Sequence, residues 1–439
     1  MRQTPMYVIG GGLAGTEAAY QMARRGLPVR LYEMRPARAT PAHHTDLLGE
    51  LVCSNSLKAD TLSSAHGLLK AEMRRLDSLV LRAADASHVP AGSALAVDRR
   101  QFAQYLTDAI IQHPNITVVR EEATELPADH ITIVATGPLT SEPLTAQIQR
   151  LLGSAHLYFY DALSPIVAAD SIDYSKSFLA SRYGAGNGDD YLNCPLDRQT
   201  YEQLCAALVG AECVTPHAFE QEIFFEGCLP LEEMARRGPL TLAFGPLKPV
   251  GLQHPNGSDP YAVVQLRLED RMRSAYNMVG FQTRLKYHEQ RRIFRLIPGL
   301  EHAEFLRLGA VHRNTFLNAP RLLEPTLQSR KRADLFFAGQ ITGVEGYVES
   351  AATGLLAGIN AVALYRGIPL HVPPPTTAHG ALVHYIASAN PDTFQPMNIN
   401  FGLLPPLAPS PGPKKARRAA MIARALADLE QWQHLVEGL

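Results

Sequence analysis

YVIGGGLAGTEAAYQMARRGLPVRLYE, running from Tyr7 to Glu33, decides the fold. Met6-Tyr7-Val8-Ile9 is a short apolar run of the kind that forms a buried parallel strand, and it leads directly into Gly10-Gly11-Gly12-Leu13-Ala14-Gly15, a GxGxxG pattern. Ala18, Ala19, Met22 and Ala23 then recur at helical spacing until Gly26-Leu27-Pro28 stops the helix. Val29 to Tyr32 resumes as a strand and ends on Glu33. Gly10 permits the tight turn, Gly12 lets a pyrophosphate approach the helix N-terminus, and Gly15 lets helix pack on strand. An acid at Glu33 can accept hydrogen bonds from a ribose hydroxyl. A lone GxGxxG carries little weight, but strand, glycines, helix, second strand and acid in this order predict a dinucleotide-binding unit, with Gly11, Leu13 and Ala14 in its loop.

The rest of the chain is long enough for two or three domains: 439 residues, 46% hydrophobic and 19% charged. No uninterrupted apolar run approaches the roughly 18 residues of a membrane span, and no signal peptide precedes the first strand. A cytoplasmic protein without membrane contact is expected. Five cysteines, Cys53, Cys194, Cys205, Cys213 and Cys228, form no CxxC pair, so neither a disulfide framework nor a metal site is indicated. Net charge is -1, so no global field draws the chain to nucleic acid.

Beyond Glu33, Thr40-Pro41-Ala42-His43-His44-Thr45-Asp46 reads as a loop at the carboxyl edge of the sheet, which places Glu50-Leu51-Val52-Cys53-Ser54-Asn55-Ser56 near a bound cofactor. Helical periodicity runs from Ala65 to Leu81, and a helix over Arg99–Gln112 starts at Asp98. Ile116 to Arg120 and Ile131 to Ala135 read as strands, the second entering a glycine turn at Thr136-Gly137-Pro138. From about Ala155 to Leu317 the alternation of strand and helix breaks down, as for an inserted domain. Asp334 to Gly339 is again strand into glycine, followed by an apolar, small-residue helix over Ser350–Leu364. Proline-rich stretches then separate helical segments near His384 and from Ala416 onward. The division is 1–154 and 318–370 for a dinucleotide-binding domain in two parts, 155–317 for the insertion and 371–439 for a helical tail.

GxGxxG serves NAD and FAD alike. A late glycine segment, Gly339-Gln340-Ile341-Thr342-Gly343-Val344-Glu345-Gly346, that returns to close over the far end of the cofactor favours FAD. Gly184-Ala185-Gly186-Asn187-Gly188 lacks a preceding strand, so no second domain for NAD(P)H is expected. The fold class is α/β: a Rossmann-type, glutathione-reductase-like FAD domain with an inserted α+β domain and a helical C-terminal tail.

Glu33-Met34-Arg35-Pro36, Thr40 to His43, Glu50 to Ser56, Phe225-Glu226-Gly227-Cys228-Leu229-Pro230, Gly339 to Ser350 and Asn400-Phe401-Gly402-Leu403-Leu404-Pro405-Pro406 closely resemble the folate- and FAD-dependent tRNA (uracil-5-)-methyltransferases called TrmFO. The resemblance runs the length of the chain, whereas the related wobble-uridine enzyme MnmG shares mainly the FAD unit and layout. It implies methylation of the T-loop uridine (position 54 in tRNA numbering) with methylenetetrahydrofolate as carbon donor and NAD(P)H as reductant. It also implies that FAD is held by Gly10, Gly11, Gly12, Leu13, Ala14, Gly15, Glu33, Gly339, Gln340, Gly343, Gly346 and Tyr347. Rival readings are an MnmG-like flavoenzyme acting on another tRNA uridine, or an FAD-containing RNA-binding factor without catalysis.

The chemistry requires residues that the sequence supplies. C5 of uracil is a poor nucleophile until a thiolate adds at C6, and a base must then remove the C5 proton. The family's two functional cysteines fall on Cys53 and Cys228, with Cys53 assigned here as nucleophile and Cys228 as base, an order the sequence does not itself fix. Cys194, Cys205 and Cys213 read as small apolar residues. Tyr347 suits either stacking or packing, and His43 and His44 carry no assigned role. For tRNA, the densest basic run is Lys414-Lys415-Ala416-Arg417-Arg418, with Arg424 further along the helix. Arg291, Arg292 and Arg295, and Arg330-Lys331-Arg332, are further candidates, and each set equally suits a solvated face.

Overall fold

The computed structural model describes every residue except 1–3, 41, 154–156, 215–228, 253, 256, 258 and 409–411. Its first sheet has five parallel strands, in spatial order Leu335–Phe337, Thr132–Val134, Met6–Ile9, Val29–Tyr32 and Ile116–Val119. Ile133, Val134, Leu335, Phe336 and Phe337 are wholly buried, as strands covered on both faces must be. Strand order reverses on either side of Met6–Ile9, so its glycine loop opens at the switch point where open α/β sheets bind ligands. The helix that follows, Leu13–Ala23, packs against Tyr347–Tyr365. Small residues let the two approach closely: a Cβ on Gly354 would lie 2.2 Å from the Ala14 carbonyl oxygen. Tyr347–Tyr365 is apolar and long enough to cross a membrane by composition, yet 83% of that stretch is buried in the protein.

Asp98 caps Arg99–Ile111 through the amides of Arg100 and Gln101, as its position predicts. The periodicity from Ala65 to Leu81 instead forms two helices, Ala65–Arg75 and Leu79–Ala86. Asp77 takes φ 56 between them, and Ser78 caps the second through the Leu81 amide. Buried Glu17, on the cofactor helix, also accepts bonds from the Ser78 hydroxyl and the Val80 amide. The break is therefore fixed by tertiary bonds that local periodicity does not contain.

The second sheet has six antiparallel strands, in order Phe178–Leu179, Tyr191–Leu196, Ala262–Leu268, Ala275–Met278, Ile166–Ala168 and Phe305–Arg307. Alternation along these strands gives it two unlike faces. Leu192, Cys194, Leu196, Val264, Leu266, Leu268, Tyr276 and Met278 enter a second apolar core. Tyr191, Arg267, Asn277, Ile166 and Arg307 form one row across the other face, each paired in register with the next. Phe305–Arg307 closes this sheet, while Val311–Phe316 pairs with Leu157–Ala162. The C-terminal segment joins the first core: Met421, Ala425, Leu429, Trp432 and Val436 of helix Lys414–Glu437 are buried at helical spacing.

Candidate cofactor cleft and thiol loop

At the carboxyl edge of the parallel sheet lies an open cleft of about 1070 Å³, lined by Gly10 to Ala14, Glu33, Gly339, Gln340 and Tyr347. Ala135 to Ser141, the glycine turn after Thr132–Val134, line it too. Each glycine of the fingerprint is explained by its surroundings. Gly10 has φ +109 and lies against the Ala135 carbonyl, while a Cβ on Gly15 would fall 1.8 Å from the Gly10 carbonyl oxygen. At Gly12 a Cβ would meet nothing within 4 Å. Gly12 is also the N-cap of Leu13–Ala23 and has no side chain to satisfy the first amides. An open space facing uncapped amides at the positive end of a helix fits a pyrophosphate.

Glu33 lines the cleft with its carboxylate already engaged. It accepts bonds from the Gly11 amide at 3.0 Å, the Arg35 amide at 3.0 Å and Arg35 Nε at 2.9 Å. Burial raises its pKa, but the hydrogen bonds and charge of Arg35 outweigh burial and hold it below the usual carboxylate range. Arg35 is fixed in turn by Glu50 and the Thr45 carbonyl, so the acid is pre-oriented. His43, which sequence reading left without a role, also lines the cleft. Burial and the charge of Arg35 bring its pKa to about 4, so it is neutral at pH 7.

Three positions expected at the cofactor lie outside the cleft lining. Gly15 serves helix–strand packing, Gly343 packs against the Phe394 ring, and Gly346 packs against the Glu349 carboxylate at the start of helix Tyr347–Tyr365.

Cys53 sits one residue from the cleft-lining Val52, in a loop held by side chains from distant parts of the chain. Its amide donates to the Tyr347 hydroxyl at 2.7 Å, and its carbonyl accepts from Arg99 and, at 2.9 Å, from Arg307. Arg99 also holds the Leu51 carbonyl, Arg307 the Val52 carbonyl, and Arg267 the Ser54 hydroxyl at 2.7 Å and Asn55 Oδ1 at 3.0 Å. Asn55 Nδ2 reaches the Val97 and Leu268 carbonyls. Two of the three arginines come from the polar row of the second sheet, and Arg99 is paired with Glu269 at 2.6 Å. The sequence gives no local sign of this clamp, because its partners lie 46 to 255 residues from the loop. Tyr347 packs against the first core, one of the two roles read from sequence, lines the cleft and anchors Cys53, a contact the sequence did not indicate. Burial raises its phenol pKa and keeps it neutral.

Cys228 and its neighbours from Phe225 lie outside the described residues. Cys194 is buried in the second core, where burial pushes its thiol up to about 12.

The chain matches the family model for glucose inhibited division protein A over residues 5–369. A curated protein of Geotalea daltonii, named methylenetetrahydrofolate--tRNA-(uracil-5-)-methyltransferase TrmFO, is 58% identical over 438 residues, all of both chains. The protein of the same name from Anoxybacillus flavithermus is 57% identical and covers 97% of this chain and 98% of its own. The chain belongs to the TrmFO family. Among solved structures, Aquifex aeolicus GidA matches with a TM-score of 0.70 at 17% identity, covering 98% of this chain and 74% of its own. That likeness establishes the shared fold. The chain carries its cofactor cleft and thiol loop on the same α/β scaffold as that structure.

Of the candidate RNA-binding cations, Arg292 pairs with Glu289, Arg330 with Glu324 and Arg332 with Asp334. Arg295 donates to the Ala303 carbonyl, and Arg424 holds the carbonyls of Pro405 and Pro406. Lys414, Lys415 and Arg417 are exposed, without an ion pair among the described residues. Arg418 lies over the Phe401 ring at 5.2 Å.

Proposed function

We propose that this chain methylates C5 of a T-loop uridine in tRNA, taking the carbon from methylenetetrahydrofolate and using FAD reduced by NAD(P)H. The observation that carries the reading is the joining of Cys53 to the cofactor cleft through Tyr347. Gly10 to Gly15 and Glu33 would hold the ADP half of FAD, and Gly339 with Gln340 its far end; Gly343 and Gly346 would act by shaping the backbone there. Bound FAD supplies the two electrons that take the one-carbon unit from the formaldehyde to the methyl level.

The thiolate of Cys53 forms a bond to C6 of uracil, and the C5–C6 π electrons become an enolate whose C5 bonds to the one-carbon unit as that carbon's bond to its carrier nitrogen breaks, the nitrogen keeping the electron pair and taking up a proton. Cys228 accepts the C5 proton, which lets the Sγ–C6 bond break and its electrons return to the thiolate. Arg99, Arg267 and Arg307 make the loop electropositive, a setting that favours a thiolate. Their hydrogen bonds keep Cys53 in place during addition and elimination. Lys414, Lys415, Arg417 and Arg418 would meet the phosphates of the T-arm. Segments 1–154 and 318–370 would act as the FAD domain, 155–317 as an insertion that brings the second cysteine, and 371–439 as a C-terminal helical extension. A cytoplasmic setting belongs to the same reading.

Purified protein given methylenetetrahydrofolate, NAD(P)H and unmodified tRNA should form 5-methyluridine in the T-loop, seen by nucleoside mass spectrometry. Flavin-loaded protein that binds this tRNA and leaves its uridines unchanged would refute the reading.

A further inference from the structure

The cofactor helix has a second end. Leu13–Ala23 is 11 residues long, so its C-terminus lies roughly 16 Å from the glycine loop. There the C-terminal ends of Ala65–Arg75, Tyr347–Tyr365 and Lys414–Glu437 meet it around an open cavity of about 850 Å³. Arg24, Arg25, Arg75 and Arg366 line this cavity against two acidic side chains, Asp77 and Glu437. We propose that this cavity is a binding site for a phosphate group, separate from the cofactor cleft.

The simplest structural account is that arginines neutralise helix C-termini, and part of their bonding does so. Arg24 reaches the Leu76 carbonyl at 3.4 Å, Arg75 the Leu426 carbonyl at 3.1 Å and Arg366 the Arg25 carbonyl at 2.9 Å. That account leaves most of the donors over. A guanidinium carries five N–H groups, and each of these side chains commits only one or two nitrogens to hydrogen bonds or ion pairs. Among the described residues only Arg24 has a carboxylate partner, Asp77 at 2.8 Å. The remaining cations repel one another. Burial, with the charges of Arg24 and Arg366, lowers Arg25 to about 10. A phosphate anion in the cavity offsets that repulsion, and its oxygens can accept from two guanidinium groups in fork geometry. The shared chemistry is a phosphate group, either a backbone phosphodiester of tRNA or a free phosphate.

The test uses flavin-loaded protein, so that the pyrophosphate cleft is filled. Inorganic phosphate should raise the melting temperature by about 3 °C or more over chloride at equal ionic strength. Arg25→Gln with Arg366→Gln should cut the apparent phosphate affinity at least tenfold, measured against that variant's own baseline. Glu437→Gln removes an exposed acid from the rim and should tighten phosphate binding. Loss of tRNA affinity in the double variant, with phosphate competing against tRNA in the wild type, identifies the backbone phosphodiester. Unchanged tRNA affinity with loss of the phosphate response identifies a free phosphate. No phosphate response in the wild type, or an equal response in all three proteins, overturns the proposal.

Discussion

Two glycine-rich segments, Gly10 to Gly15 and Gly339 to Gly346, read alike in the sequence and do different work in the molecule. At the first, Gly12 faces open space, where a Cβ would touch nothing, while Gly10 and Gly15 are packed against backbone. At the second, only Gly339 and Gln340 face the cleft, while a Cβ on Gly343 would come within 2.5 Å of the Phe394 ring. Gly12 leaves room beside it for a ligand, whereas Gly343 has protein there. The pattern of glycines alone does not separate the two.

Substitutions can break this comparison. Gly15→Val should have the largest effect, because its side chain would drive into the Gly10 carbonyl. A loss above about 4 kcal/mol, or failure to obtain folded protein, is expected. Gly12→Val should keep the fold and lose the flavin colour, since its branches occupy the space assigned to the pyrophosphate. A stable, fully flavin-loaded Gly12→Val protein would refute the cleft assignment. Arg307→Met should retain flavin and slow turnover by about 10²-fold, as the thiol loop shifts by a fraction of an ångström to an ångström. Unchanged turnover would show that the clamp does not position Cys53. Gly343→Ala should cost about 1–3 kcal/mol in urea unfolding through strain at φ +86 and contact with Phe394, with flavin content intact. Flavin loss without loss of stability would move Gly343 back to the ligand.

The smallest effect expected is on acid stability. His43 is held neutral in the folded state to about pH 4, while the unfolded side chain protonates below about pH 6.5. The unfolded state binds the extra proton between these values, so unfolding free energy falls as pH drops through that window. His43→Gln should flatten the fall by about 1 kcal/mol between pH 7 and pH 5. An identical pH profile in the variant would mean that His43 is not desolvated.

The first nucleotide unit was legible because strand, turn, helix and acid are local features, and the cap at Asp98 was legible for the same reason. The break at Ser78 was not, since it depends on Glu17 from another helix. Cys53 could be singled out by its loop, but Arg99, Arg267 and Arg307 could not: two of them are strand residues of the second sheet, and their role depends on its register. His43 lay in a polar loop, where burial against Arg35 has no sequence sign. The C-terminal segment looked like a tail because its proline-rich stretches interrupt periodicity, yet its apolar stripe completes the first core.

The central claim concerns where the methyl carbon comes from, and isotope transfer tests it most directly. Methylenetetrahydrofolate labelled at its one-carbon unit, with unlabelled S-adenosylmethionine present, should place the label in 5-methyluridine of the T-loop. Label reaching that position only from S-adenosylmethionine would contradict the account.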